Sequence, residues 1–186
     1  MSDLINLSKT RRIEADQLLE KSELIPLLKQ FGEVVITGSY KHDLMLTPDL
    51  DLYVITPNDT FKTAAEINSK MVQQQKWNGY MLFDWHQFRK PYFPDSYYVG
   101  AQTPFAGNVW RADIWVLNEL TQNIVDFNKW ITENFKEEHR IPILKIKNER
   151  DLQKSMTSSY DIYKAVIENN AKSLNDVIKI QETKKL

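Results

Sequence analysis

Ile36-Thr37-Gly38-Ser39-Tyr40-Lys41-His42-Asp43-Leu44-Met45-Leu46-Thr47-Pro48-Asp49-Leu50-Asp51-Leu52-Tyr53-Val54 is the stretch on which the reading of this chain turns. The apolar run Val34-Val35-Ile36 predicts a short buried strand from Glu33 to Thr37, ended by Gly38-Ser39. Nine residues follow Ser39, and Asp49-Leu50-Asp51 then opens a second strand that runs to Ile55. Residues two apart on a strand point to one face. Asp49 and Asp51 therefore project side by side, while Leu50 and Leu52 turn to the opposite, buried face. Two carboxylates this close repel each other unless positive charge lies between them. A hard divalent ion such as magnesium suits them, since it prefers carboxylate, water and phosphate oxygen. Gly38-Ser39 is the natural complement: glycine lets a ligand approach the backbone, and N–H groups at the start of a following helix favour phosphate.

Outward from this stretch, the first 31 residues read as helical, with an apolar stripe of Ile13, Leu18, Leu19, Leu24, Leu27, Leu28 and Phe31. Pro26 is expected to bend or divide that helix. Beyond the second strand, Thr60–Gln75 predicts a helix with Phe61, Ala64, Ala65, Ile67, Met71 and Val72 near one side. Tyr80–Phe88 is strand-like, with Asp84 and His86 alternating with Phe83 and Trp85, and Pro91-Tyr92-Phe93-Pro94 is a loop. Two extended runs follow, Ser96–Phe105 and Val109–Leu117, separated by the hairpin connection Ala106-Gly107-Asn108.

From Glu119 the character changes to helix. Ile124, Phe127, Ile131 and Phe135 recur at helical spacing, and Arg140-Ile141-Pro142 is expected to break that helix and open the next. Ile162, Tyr163, Val166 and Ile167 mark a further helix, and Ser173 is a cap for a last one. The segment from Tyr160 to Ile180 reads as a helical pair that covers the sheet or shapes a cleft, with a helix-turn-helix as the alternative. The fold class is therefore α+β: a mixed sheet of about five strands flanked by helices, with a helical C-terminal part. The expected division is a sheet domain with its N-terminal helix over 1–118 and a helical subdomain over 119–186.

Composition narrows the function classes. Of 186 residues, 42% are hydrophobic, ample for a packed core. The 24 basic and 25 acidic side chains give a net charge of −1, so nucleic acid, which needs a concentrated basic face, is disfavoured as a partner. The absence of cysteine rules out disulfides and thiolate metal sites. His42, His86 and His139 are too scattered for zinc. No apolar stretch approaches the roughly 20 residues of a membrane span, and Met1–Arg12 lacks the pattern of a secretory leader, so a cytoplasmic location without membrane is expected.

The order strand, Gly38-Ser39, about ten residues, then Asp49-Leu50-Asp51 on the next strand resembles the signature of the DNA polymerase beta superfamily of nucleotidyltransferases. The resemblance covers roughly residues 33 to 117 and implies a nucleotidyltransferase-like sheet. It also implies a third carboxylate from a later strand, which Asp113 in Val109-Trp110-Arg111-Ala112-Asp113-Ile114-Trp115-Val116-Leu117 matches. Asp49, Asp51 and Asp113 are thereby implied as catalytic metal ligands for two magnesium ions, with manganese as a substitute. The implied donor is a nucleoside triphosphate, ATP above all, with its phosphates against Gly38 and Ser39. A hydroxyl acceptor, on a small molecule or a protein, attacks the alpha phosphate and pyrophosphate leaves. The chain departs from the usual pattern at Lys41 and Asp43, where many members carry small residues.

Lys41 and Arg111 are candidates for contact with the triphosphate. The plainer alternatives are a solvated turn lysine and an arginine paired with an acid. Lys145 and Lys147 read as surface charges, and Asp84 and His86 as an exposed stretch of strand. More than half of the aromatic residues fall between Trp77 and Trp115, which leaves room for a homodimer or a cognate protein partner. Two other classes stand beside the enzyme reading. One is a non-catalytic nucleotide-binding or regulatory module, such as the nucleotidyltransferase-like half of a toxin–antitoxin pair. The other is an enzyme that adds nucleotides to RNA ends, which would need a basic track near the site.

Overall fold

The computed structural model describes residues 2–87 and 94–183. The loop expected over Pro91-Tyr92-Phe93-Pro94 lies outside the described residues except for Pro94. The chain forms two compact units, Thr10–Gln122 and, separately, Met1–Lys9 with Asn123–Leu186.

The first element, helix α1 (Ser2–Ser22), is separated by one residue from α2 (Leu24–Leu28). The division falls at Glu23, whose φ of 52° takes the left-handed conformation, and not at Pro26. Pro26 sits in the first turn of α2, where a backbone N–H has no intrahelical partner to lose. Ala15, Leu18, Leu19, Leu24, Leu27 and Leu28 are buried, as the stripe requires, but Ile13 is 58% exposed and lies off the inward face.

Strands β1 (Glu33–Thr37), β2 (Asp49–Ile55), β3 (Gly79–Asp84), β4 (Tyr97–Phe105) and β5 (Asn108–Leu117) form one mixed sheet in the order β1-β2-β5-β4-β3. β2 and β5 run parallel and the other neighbours are antiparallel. The expected bounds of β1 and β2 hold to the residue. Burial in β2 alternates strictly, with Leu50, Leu52 and Val54 fully buried and the odd-numbered residues half-buried. Ala106 and Gly107, with φ of 49° and 75°, form the two-residue turn between β4 and β5, whose paired positive φ values match the strand twist. Beyond Asp84 the chain leaves the expected strand and forms a 3-10 turn over Trp85–Gln87. The amide and ring Nδ1 of His86 both lie against Asp84 Oδ1, at 2.9 and 2.7 Å, and this local bonding competes with strand pairing.

One sheet face carries the core. Leu50, Leu52, Val54, Val99, Ala101, Trp110, Ala112, Ile114 and Val116 pack with α1, α2 and α4 (Thr60–Gln74). Each fully buried aliphatic side chain contributes about 1.5–3 kcal/mol. Asp59 caps α4 by accepting the Lys62 amide at 2.9 Å. Ala64, Ile67 and Met71 face inward, whereas Phe61 and Val72, expected on the same side, are exposed.

The other unit is helical: α5 (Gln122–Asn134), α6 (Glu137–Leu152), α7 (Ser159–Asn169) and α8 (Leu174–Thr183). The break between the first two falls at 135–136, not at Arg140-Ile141-Pro142. The Lys136 amide donates to His139 Nδ1 at 3.0 Å, which starts α6 ahead of Pro142, and the helix then carries that proline inside it. Lys147 is not a surface charge: it is 1% exposed, with its ammonium 5.9 Å from the centre of the Tyr163 ring. Ser158 caps α7, accepting the Asp161 amide at 3.1 Å, and Ser173 does the same for Asp176 in α8 at 3.3 Å. Among the described residues no helix is long and apolar enough to cross a membrane.

Candidate functional site

The face of the sheet opposite the core holds the acids. In the β2–β5 register Asp51 lies opposite Asp113 and Asp49 opposite Arg111. Directly paired residues share a face, so all four side chains rise from one side of two adjacent strands. The register therefore places the three acids that the sequence singles out on one face of two adjacent strands. Asp49 and Asp51 come from alternate positions of one strand, and Asp113 from the strand beside it.

Each acid has its own surroundings. Asp49 Oδ1 accepts the Thr47 hydroxyl at 2.8 Å, and its Oδ2 lies 3.8 Å from Arg111 Nη2. Arg111 is thus an ion-pair partner of an acid, with more than half of its side chain in solvent. Asp113 Oδ1 accepts the Tyr98 hydroxyl at 2.6 Å. Burial pushes the Asp113 carboxyl above the usual range, the Tyr98 hydrogen bond and the Arg111 charge pull it back, and the negative field of Asp49 pushes it up again. Burial, with the charge of Asp51 added, raises the Tyr53 phenol to about 12, so it stays protonated at neutral pH.

Gly38 and Ser39 begin the short helix α3 (Gly38–Lys41) directly after β1. Gly38 has a φ of 66°, and a Cβ built on it would lie 2.1 Å from Asp51 Oδ2. The missing side chain is what lets the carboxylate of Asp51 approach this turn. Lys41 stands exposed at the end of α3. His42 follows it half-buried, and burial and the neighbouring Lys41 charge lower its pKa to about 4.

The structure accounts for the departure at Asp43. This residue has a φ of 53°, a conformation that helix ends usually give to glycine. Arg12 of α1 compensates by holding the turn from outside. Its Nη1 donates to the Tyr40 carbonyl at 3.0 Å and to Asp43 Oδ1 at 2.5 Å, and its guanidinium lies 4.0 Å from the centre of the Tyr40 ring. The Tyr40 hydroxyl donates to Asp16 Oδ1 at 2.6 Å. Farther along, Leu44 and Met45 are fully buried, and Arg11 Nε donates to the Leu46 carbonyl at 3.3 Å. The nine residues between Ser39 and Asp49 are therefore anchored, not a loose loop.

Arg12 and Tyr98 are the residues that motif spacing misses. Arg12 acts from a helix far away in sequence, and nothing local in the sequence marks it. Tyr98 has a faint sign, because Gly100 interrupts an otherwise well-formed strand, and a glycine inside a strand marks a close approach. A Cβ at Gly100 would lie 2.6 Å from the Tyr98 hydroxyl oxygen.

The donors on this face are hard carboxylate oxygens beside a turn with a missing Cβ, which fits an oxygen-seeking divalent cation. Among the described residues no group of three acidic or histidine side chains is placed to hold a metal ion. Magnesium does not need one: it commonly takes one or two carboxylates and completes its shell with water and phosphate oxygen.

No family model matches the chain, and no curated protein matches it. Solved structures do. A chain of the GLD-2/RNP-8 complex aligns with a TM-score of 0.52 at 12% identity, covering 89% of this chain and 62% of that one. A chain of the non canonical poly(A) polymerase complex GLD-2–GLD-3 aligns with a TM-score of 0.52 at 14% identity, covering 90% and 58%. This chain thus spans about three fifths of the length of those it matches. The likeness is one of fold: a nucleotidyltransferase-like mixed sheet of five strands flanked by helices.

Proposed function

We propose that this chain is a metal-dependent nucleotidyltransferase that transfers a nucleoside monophosphate, AMP, from ATP to a hydroxyl acceptor and releases pyrophosphate. The observation that carries the reading is the in-register pair Asp51 and Asp113 on adjacent strands, with Asp49 on the same face and the Gly38 turn open against Asp51.

Asp49, Asp51 and Asp113 would hold the divalent ions. Magnesium held by them would supply positive charge to the phosphates of an in-line displacement. Asp113, on the strand beside Asp51, would take the acceptor hydroxyl's proton. Gly38 and Ser39 present backbone to the phosphates. Arg111 faces solvent from its loose pairing with Asp49 and offers charge to the same phosphates. Lys41, exposed at the end of α3, is the weaker candidate for that role.

The acceptor fits a small molecule or a protein hydroxyl, in keeping with a net charge of −1. An RNA 3′ hydroxyl is the second reading, favoured by the fold shared with a non canonical poly(A) polymerase complex. Salt separates the two, because RNA transfer weakens steeply with ionic strength and small-molecule transfer does not. A homodimer, or a cognate protein partner, and a cytoplasmic setting belong to this proposal as well.

The deciding experiment titrates the protein with each nucleoside triphosphate, with and without magnesium, beside an Asp49→Ala/Asp51→Ala variant. Magnesium-dependent binding that disappears in the variant is the expected result, followed by an acceptor screen for pyrophosphate release. A well-folded wild-type protein that binds no nucleoside triphosphate overturns the reading and leaves a fold kept for a partner.

A further inference from the structure

We propose that Tyr98 is a positioning residue for Asp113, holding one carboxylate oxygen so that the other is presented to metal and acceptor. The inference rests on the metal-dependent reading above and assigns a role to a residue outside the acidic motif.

Tyr98 is not the register partner of Asp113. Its partner on β5 is Trp115, and Gly100 is the residue opposite Asp113. To reach the acid, the Tyr98 side chain runs along its own strand and lies over Gly100. A Cβ on Gly100 would come within 2.6 Å of the hydroxyl oxygen, 2.8 Å of Cε1 and 3.0 Å of Cζ, so only glycine leaves this path open. The ring also packs against Trp115, whose centroid is 5.0 Å away at an interplanar angle of 58°. At the end of the path the phenol donates to Asp113 Oδ1 at 2.6 Å, the length of a charge-assisted O–H···O⁻ bond.

Three separate features thus serve one bond. A half-buried acid on a strand has several rotamers open to it, and the acid only works if one oxygen faces the reacting groups. Asp49 has the corresponding support from Thr47. Outer partners of metal ligands commonly contribute 10–100-fold in metal affinity by fixing ligand orientation. With Oδ1 occupied by the phenol, Oδ2 is the oxygen left to act.

The test measures Mn2+ binding by electron paramagnetic resonance for the wild type and for Tyr98→Phe, Gly100→Ala, Asp51→Ala and Asp113→Asn, each with its thermal midpoint. Tyr53→Phe is the control, because it removes a phenol from the same sheet face without touching Asp113. The expected result is binding abolished in Asp51→Ala and Asp113→Asn and weakened about tenfold in Tyr98→Phe and Gly100→Ala. Tyr53→Phe should bind as the wild type does, and the midpoint of Tyr98→Phe should stay within a few degrees of it, so that lost affinity is not lost structure. Wild-type affinity in Tyr98→Phe, with binding still dependent on Asp51, overturns the role of Tyr98 and leaves the metal site standing. No Mn2+ binding by the wild type overturns the metal-dependent reading and this inference together.

Discussion

Asp51 and Asp113 face each other across the parallel step of the sheet, and the residues flanking the pair are Thr37 on one side and Gly100 on the other. Two carboxylates are therefore bordered by a small side chain and by none. The room this leaves is used asymmetrically: Asp51 approaches the Gly38 turn, and Asp113 takes the phenol of Tyr98. Acids placed this way repel each other at neutral pH, and their cost to the fold is a measurable quantity.

Asp113→Asn should stabilise the protein while abolishing transfer. The folded pKa of Asp113 lies above its unfolded value, chiefly through burial. Its contribution to stability is then fully present below the unfolded pKa and is lost as pH rises through the folded one. Asparagine removes the charge and keeps an oxygen for Tyr98. Calorimetry should show a higher thermal midpoint at pH 7, by about 2–4 °C for each kcal/mol gained, and little difference near pH 3. An unchanged or lower midpoint at pH 7 would mean that burial does not govern this acid.

Gly38→Ala should fail at the site more than in the fold. The left-handed backbone costs a non-glycine residue roughly 1–2 kcal/mol. The added Cβ also meets Asp51 Oδ2 at 2.1 Å, so the carboxylate must move. The expected outcome is a protein that still unfolds cooperatively but has lost magnesium-dependent nucleotide binding by calorimetric titration. Retention of that binding would show that Asp51 does not need its place beside the turn.

Arg12→Ala should loosen α3 and the turn after it. Its exposed ion pairs are worth about 0–1 kcal/mol each, and its stacking on Tyr40 about 0.5–1 kcal/mol. Denaturant unfolding should report a loss of roughly 1–2 kcal/mol. Asp43→Gly supplies the residue that a φ of 53° favours, so Arg12→Ala/Asp43→Gly should be no less stable than Arg12→Ala alone. A double variant that is much worse would place the main work of Asp43 outside its pairing with Arg12.

His42 makes stability depend on pH in the acid range. Its folded pKa, about 4, lies below the ordinary value of 6.5. Between those values the unfolded chain takes up a proton that the folded one refuses. Stability should fall as pH drops from 6.5 toward 4, with a slope of at most about 1.4 kcal/mol per pH unit. His42→Gln should flatten this part of the profile, and an identical slope in the variant would assign it to other groups.

The apolar run Val34-Val35-Ile36 made β1 legible in advance, the Ala106-Gly107-Asn108 turn did so for the β4–β5 hairpin, and the period-2 pattern did so for β2 and the shared face of Asp49 and Asp51. What the sequence hides are relations between elements. The register that sets Asp113 opposite Asp51, the reach of Arg12 from α1 to Asp43, and the pairing of Arg111 with Asp49 all depend on tertiary placement. Local competition accounts for other differences. Glu23 ends α1 in a left-handed conformation that pattern alone does not announce, and Asp84 turns Trp85 and His86 out of the strand through its own hydrogen bonds. Lys147 was hidden for a further reason: charge suggests solvent, whereas a lysine stem can pack among helices with its ammonium over an aromatic ring.

The parallel pairing of β2 with β5 also sets an order in time. The facing acids lie on strands with α4, β3 and β4 between them in the chain, whereas β3 with β4 and β4 with β5 join near neighbours in sequence. Short-range hairpins close early and long-range pairing closes late, because the chain entropy lost is greater. The acidic centre is then among the last features to assemble during folding. A partly folded chain displays hairpins before its acids face each other, and on the proposed metal-dependent reading the recovery of metal affinity during refolding should lag behind the recovery of secondary structure.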